Sequence, residues 1–192
     1  MAKVVLHPTP TAQWRALIQE AVGMANTPLS EELESYLVFL LMRFTGESHL
    51  GSTVMALDFL RSLGKYNRER AEGLRDVGDK CLLFAGLFPE LAKKRRVCID
   101  YYVRLGRSAY DTLSAHEQKS LAELFAKLST HFVPMMDVLH WIRSIGTSAQ
   151  MDTIAAEELW RSTNSQYARH VLQQAIKHPL QVPFPIDLYK RH

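Results

Sequence analysis

No run of apolar residues in this 192-residue chain approaches the roughly 20 needed to cross a membrane; the longest, Tyr36–Met42, stops at Arg43. At the N-terminus only Val4–Leu6 separate Lys3 from His7–Pro8, too little for the apolar region of a signal peptide. Cysteine is scarce. Cys81 and Cys98 are too few for a disulfide scaffold, and they fall on two successive predicted helices. Packed helix axes lie roughly 8–10 Å apart, whereas a disulfide needs Cα atoms within about 7 Å. Free thiols in a reducing compartment are therefore expected, and with them a cytoplasmic protein without a membrane partner. The net charge is only +3, too small for bulk electrostatics to dictate a polyanionic partner. Neither G-x-x-x-x-G-K-[ST] nor G-x-G-x-x-G occurs, which excludes nucleotide cradles of those two types.

Strand alternation is missing too: no stretch keeps a period of two, while repeats at three and four run through the whole chain. With 47% hydrophobic and 22% charged residues, the composition is that of a globular domain rather than a disordered one. Thr9–Pro10 starts a helix carrying Trp14, Leu17, Ile18, Ala21 and Val22 on one stripe. Ser30 caps a second helix, apolar nearly all round from Tyr36 to Phe44 and so expected to be central, with Thr45–Gly46 ending it. A third helix, 50–63, shows Val54, Leu57, Phe59, Leu60 and Leu63. A fourth, 68–85, aligns Leu74, Val77, Cys81, Phe84 and Phe88, and Gly78 within it points to close packing. The fifth covers 97–113. A capping box at Ser114 and Glu117 opens a sixth, kinked by Pro134 and continuing to about Ile145. Thr147 with Gln150, and Thr163 with Gln166, introduce two more. The expected fold is all-α: a single-domain bundle of seven or eight helices over 1–178 with no sheet. A tail at 179–192 follows, broken by Pro179, Pro183 and Pro185.

The chemistry-bearing residues concentrate on the fourth and fifth helices: Asp79, Asp100, Tyr101, Tyr102, Arg104 and Tyr110. Buried charges and hydroxyls persist only when paired, so this set reads either as a ligand site or as a packing lock. Solvated i,i+4 pairs such as Arg75–Asp79, Asp76–Lys80, Asp100–Arg104 and Arg107–Asp111 are the plain account. On the sharper account, Asp79 reaches Arg104 or a tyrosine hydroxyl across the helix pair. Gly106 and Ala109 strip bulk from one face of the fifth helix, letting a neighbour approach. Ser108, within Gly-Arg-Ser-Ala-Tyr, lies inside a helix rather than on a strand-to-helix turn, so it is not a nucleophile elbow. Lys93, Lys94, Arg95 and Arg96 form a basic connection able to meet phosphates, with Tyr101 and Tyr102 near enough in sequence to stack on bases.

A di-iron bundle would need two Glu-x-x-His motifs; the nearest match is a single Asp137–His140, read as lying on the exposed part of a kinked helix. His131 and His140 stand nine apart and face opposite sides. Nothing among eight histidines selects a haem ligand. No metal, cofactor or catalytic residue is assigned.

VGDKCLLFAGLFPE (77–90) and IDYYVRLGRSAY (99–110) resemble a family of uncharacterised bacterial helical proteins with a Val-Gly-Asp, Gly-Leu-Phe, Asp-Tyr-Tyr, Gly-x-Ser-Ala-Tyr core. ELESYLVFLLMRF (32–44) is more weakly similar. That resemblance implies a bacterial origin and brings no activity. The expectation is a binding or adaptor protein rather than an enzyme, acting on a protein partner through helix faces, with oligomerisation open. The two alternatives are a small-ligand-binding protein or enzyme with a pocket around Asp79, Asp100, Tyr101 and Arg104, and nucleic-acid association through Lys93–Arg96.

Overall fold

The computed structural model describes residues 9–45, 54–146 and 151–177. These form ten α-helices and no strand: α1 (Pro10–Ala25), α2 (Glu31–Phe44), α3 (Met55–Leu63), α4 (Asn67–Gly86), α5 (Pro89–Lys94), α6 (Ile99–His116), α7 (Lys119–Thr130), α8 (Phe132–Gly146), α9 (Thr153–Thr163) and α10 (Gln166–Lys177). None of them is long and apolar enough to cross a membrane. The expected readings at Gly46, the start of the third helix, the Thr147–Gln150 box and the tail 179–192 lie outside the described residues.

Local chemistry sets several helix ends. Thr9 accepts the Ala12 amide at the start of α1, Ser30 accepts the Leu33 amide before α2, and Asp152 accepts the Ala155 amide before α9. Asn26 and Asn164 close α1 and α9 in the left-handed conformation that asparagine tolerates.

The most extensive pairing is α4 against α6, with α8 packed across α4, α1 and α2 flanking, and an α9–α10 hairpin closing one side. Two glycines permit the central approach. A Cβ added at Gly78 would stand 2.5 Å from the Tyr110 ring, and one at Gly106 would collide with the Phe132 ring and the Cys81 Cβ. The packing anticipated around both glycines is therefore present. Leu74, Val77, Cys81, Leu82 and Phe84 from α4 meet Tyr102, Val103 and Tyr110 from α6 in the core, with Phe132, Met135 and Leu139 from α8.

The helices outnumber the expected seven or eight for two reasons. Residues 89–94, read as a connection, form the short helix α5, with Pro89 at its first turn. The sixth expected helix also divides at His131 rather than kinking at Pro134. Pro134 then sits in the first turn of α8, where its missing N–H costs no helix bond. The Ser114–Glu117 box does not open a helix, since α6 runs on to His116 and the Ser114 hydroxyl donates back to the Asp111 carbonyl. Ser165, not Thr163, caps α10 by accepting the Ala168 amide. Phe88 leaves the α4 stripe, and Leu57, Leu60 and Leu63 of α3 face outward, because the core meets that helix through Met55 and Ser62 instead.

Candidate functional site

Asp79 is 1% exposed and is held from three helices. The hydroxyls of Tyr36 (α2) and Tyr110 (α6) both donate to its Oδ1, at 2.5 and 2.8 Å. Arg43 Nη1 donates to Oδ2 at 3.1 Å, and Arg75 Nε stands 3.7 Å from the same oxygen. Arg43 also bonds Asp76 at 2.6 Å, and Asp76 pairs with Lys80 at 2.5 Å. Burial raises the Asp79 pKa, against the pull of the two hydroxyls and the two guanidiniums. Burial, together with the adjacent carboxylate, raises both tyrosine hydroxyls. With both oxygens engaged and Tyr110 fully enclosed, the group is a knot joining α2, α4 and α6. Of the two readings of Asp79, this geometry fits the lock.

Of the other five expected site residues, only Tyr110 meets Asp79. Tyr102 is core, stacked on Phe84 at 5.5 Å, and half-buried Tyr101 packs edge-on against it at 5.3 Å. Asp100 and Arg104 pair with each other at 2.9 Å elsewhere on α6. Six residues separate Arg104 from Tyr110, about 600° of rotation, so the two point some 120° apart. Arg104 therefore does not meet Asp79; the tyrosine hydroxyl does. Sequence reasoning missed Tyr36 and Arg43. Their signal was a spacing of seven, which puts both on one face of α2 at the two ends of its apolar stretch Leu37–Met42.

Asp100 and Arg104 border a different feature. The start of α6, α5 and α9 enclose a cleft of about 450 Å³. Val97, Met151, Ile154 and Leu159 give it apolar walls. Its rim is charged: Lys93 pairs with Asp152 at 3.5 Å, and Arg143 with Glu90 at 3.6 Å. Asp152 lies below the usual carboxylate range, chiefly through the Ala155 amide and further through Lys93. The Arg143 side chain is only 14% exposed, whereas Lys93 and Arg104 stand 73% and 76% exposed. The exposed thiol of Cys98 hydrogen-bonds Glu158, which raises its pKa. It is thereby kept protonated rather than activated as a nucleophile.

The four cations of 93–96 do not share one face. Lys93 turns to Asp152, half-buried Arg95 lies over the Phe84 ring at 5.2 Å, and Arg96 lines the cleft. Arg96 has φ 56°, the left-handed position after α5 that glycine ordinarily occupies, with the Val97 amide bonded back to the Ala92 carbonyl.

Asp137 and His140, expected on an exposed surface, are both buried. Asp137 accepts the Ser165 hydroxyl at 2.5 Å and the Gln166 amide at 2.7 Å, tying α8 to the start of α10. Burial pushes its pKa up to about 6. His140 stacks on Tyr167 at 4.8 Å, and neither ring nitrogen has a hydrogen-bond partner. Burial, then Arg143, lowers its pKa to about 3. Paired residue types on a helix read as solvated; here α10 folds over them. Among the described residues, no group of three His, Cys, Asp or Glu side chains could hold a metal ion. No protein-family model, curated protein or solved structure matches the chain.

Proposed function

We propose that this chain is a binding protein rather than an enzyme, and that its ligand sits in the cleft between α5, α6 and α9. One observation carries the reading: the molecule's closed polar knot is fully satisfied, while its apolar cleft is open and ringed by charge. A concave apolar surface with a few convergent polar groups is the usual form of a ligand site, and about 450 Å³ falls within the ~300–1,000 Å³ of such sites. The free Cys98 thiol suits a reducing, cytoplasmic setting.

The adaptor reading has its own support in the exposed apolar side chains of Leu57, Leu60 and Leu63 on α3 and of Val54 just before it. Nucleic-acid association has less. Tyr102 is buried and unable to stack on a base, and Lys93 and Arg95 are engaged within the fold.

Native mass spectrometry of the chain isolated from its own cells separates the first two readings. A bound mass lost in Ile154→Glu and kept in Leu60→Glu is the expected result. A bound mass with the opposite dependence moves the site to α3.

A further inference from the structure

We infer that the cleft takes an amphipathic anion: a hydrocarbon tail bearing a carboxylate head. The inference rests on the reading of the cleft as a ligand site and names the ligand's chemical class.

The cleft's cations are unequally buried. Lys93 and Arg104 reach into water, where their charges are strongly screened. Arg143 is sunk in the wall, and its charge acts inward far enough to help hold the buried His140 imidazole neutral. A cation in such low-dielectric surroundings attracts an incoming anion much more strongly than a surface lysine does. Its guanidinium offers the planar fork that matches a carboxylate in two parallel hydrogen bonds.

The acid now beside Arg143 is Glu90, at 3.6 Å and with its side chain 65% exposed. That separation is longer than a charge-assisted hydrogen bond, and Glu90 stands where water solvates it after displacement. The other rim acids are committed elsewhere. Asp100 holds Arg104, Asp152 caps α9 and holds Lys93, and Glu158 takes the Cys98 thiol. Among these rim acids, Glu90 is the one that a ligand carboxylate would displace.

The tail has its own surface. Val97, Met151 and Leu159 line the interior, and Ile154 stands 81% exposed at the lip, where a hydrocarbon chain would cover it. Arg96 adds a second cation beside the cleft. Its left-handed backbone gives a loop position where glycine would serve the fold better, so a side chain kept there points to a use for it.

Isothermal titration of the full chain with decanoate and with decyltrimethylammonium, equal tails with opposite heads, tests this directly. The expected result is one decanoate per chain, bound at least about tenfold more tightly than the cation. Arg143→Gln should weaken decanoate about tenfold or more, and Glu90→Gln should tighten it by removing the competing carboxylate. Arg96→Gly should weaken it without lowering Tm. Equal affinity for the two heads, no decanoate binding, or decanoate binding indifferent to both Arg143→Gln and Glu90→Gln overturns the proposal. If Arg143→Gln fails to fold, Glu90→Gln and Arg96→Gly decide the matter. Failure here is separable from failure of the ligand-site reading: a native bound mass sensitive to Ile154→Glu, without a preference for the anionic head, keeps the cleft and discards the anion.

Discussion

The same helix, α6, serves two regions of opposite character. Tyr110 on its inner face locks Asp79, with Tyr36 and Arg43 closing the shell. Asp100 and Arg104, near its start, border a cleft of about 450 Å³. Polar residues in the knot serve one another, and a change there should be felt by the whole fold. Apart from Arg143, which is sunk in the wall, the charged residues around the cleft face outward, so changes at those should be felt by a ligand more than by the fold. Density of charged and aromatic residues along a helix thus does not by itself mark a reactive site. What separates a lock from a ligand surface is whether the groups are exhausted by their own partners.

The largest effect should come from breaking the knot. Asp79→Ala leaves two buried hydroxyls and an arginine without their acceptor, and should cost about 3–5 kcal/mol in denaturant unfolding. Tyr110→Phe and Tyr36→Phe should each cost about 1–3 kcal/mol. Because both donate to one oxygen, their double mutant should depart from additivity. Strict additivity would mean that the two hydroxyls do not share the carboxylate. Decanoate affinity should be unchanged in each variant that folds.

Next in size is Gly78→Ala. A Cβ 2.5 Å from the Tyr110 ring forces α4 and α6 apart, an overpacking cost of about 1–3 kcal/mol despite alanine's better helix propensity. An unchanged unfolding midpoint would mean that Tyr110 can move aside, and the lock would be looser than its distances imply.

How far all this was legible in the sequence depends on the range of the interaction. Gly78, Gly106 and the Asp79–Tyr110 contact belong to α4 and α6, with only the short α5 between them, so glycine placement pointed to close packing there and a tyrosine hydroxyl stood beside Arg104 as an expected partner of Asp79. Tyr36 and Arg43 lie 43 and 36 residues before Asp79, and no local pattern assigns a distant helix to a carboxylate. The cleft was hidden for the same reason. It needs α9, whose Asp152 meets Lys93 across 59 residues. Asp137 and His140 were misplaced because both residue types usually lie outside, and only the return of α10 buries them.

That buried pair gives a pH signature. The imidazole of His140, ordinarily near 6.5, is held near 3 in the fold, so between those values the unfolded chain binds the extra proton. Its share of stability is complete above about pH 6.5 and is lost as pH falls toward 3. Asp137 acts oppositely. Its folded pKa is about 6 against an ordinary 3.8, so the folded state binds the extra proton in that interval and gains stability as pH falls through it. His140 meets Arg143 from α8 and Tyr167 from α10, and Asp137, three residues before it on α8, is the group whose titration overlaps its own. The two nearly cancel from about pH 6 to 3.8. Asp137→Asn removes the offset: the variant's own stability should fall from about pH 6.5 downward with a slope approaching ~1.4 kcal/mol per unit, parting from the parent chain below about pH 6. Parallel pH profiles for the two chains would mean that the fold does not raise the Asp137 carboxyl, and a variant whose stability does not fall below pH 6.5 would mean that His140 is hydrated.

The smallest effect sits beside the cleft, and its sign makes it useful. Arg96 holds φ 56° in the turn after α5. A left-handed conformation costs a non-glycine residue roughly 1–2 kcal/mol, and glycine's greater freedom in the unfolded chain returns about 0.5–1 of that. Arg96→Gly should therefore raise stability by about 0.5–1 kcal/mol in denaturant unfolding. Most changes in the knot lower stability without touching the cleft; this one should raise stability and weaken the cleft's hold on an anion. If Arg96→Gly proves both less stable and equally able to bind decanoate, the arginine supports the turn. The contrast between a region built for the fold and one kept for a ligand would then lose its clearest instance.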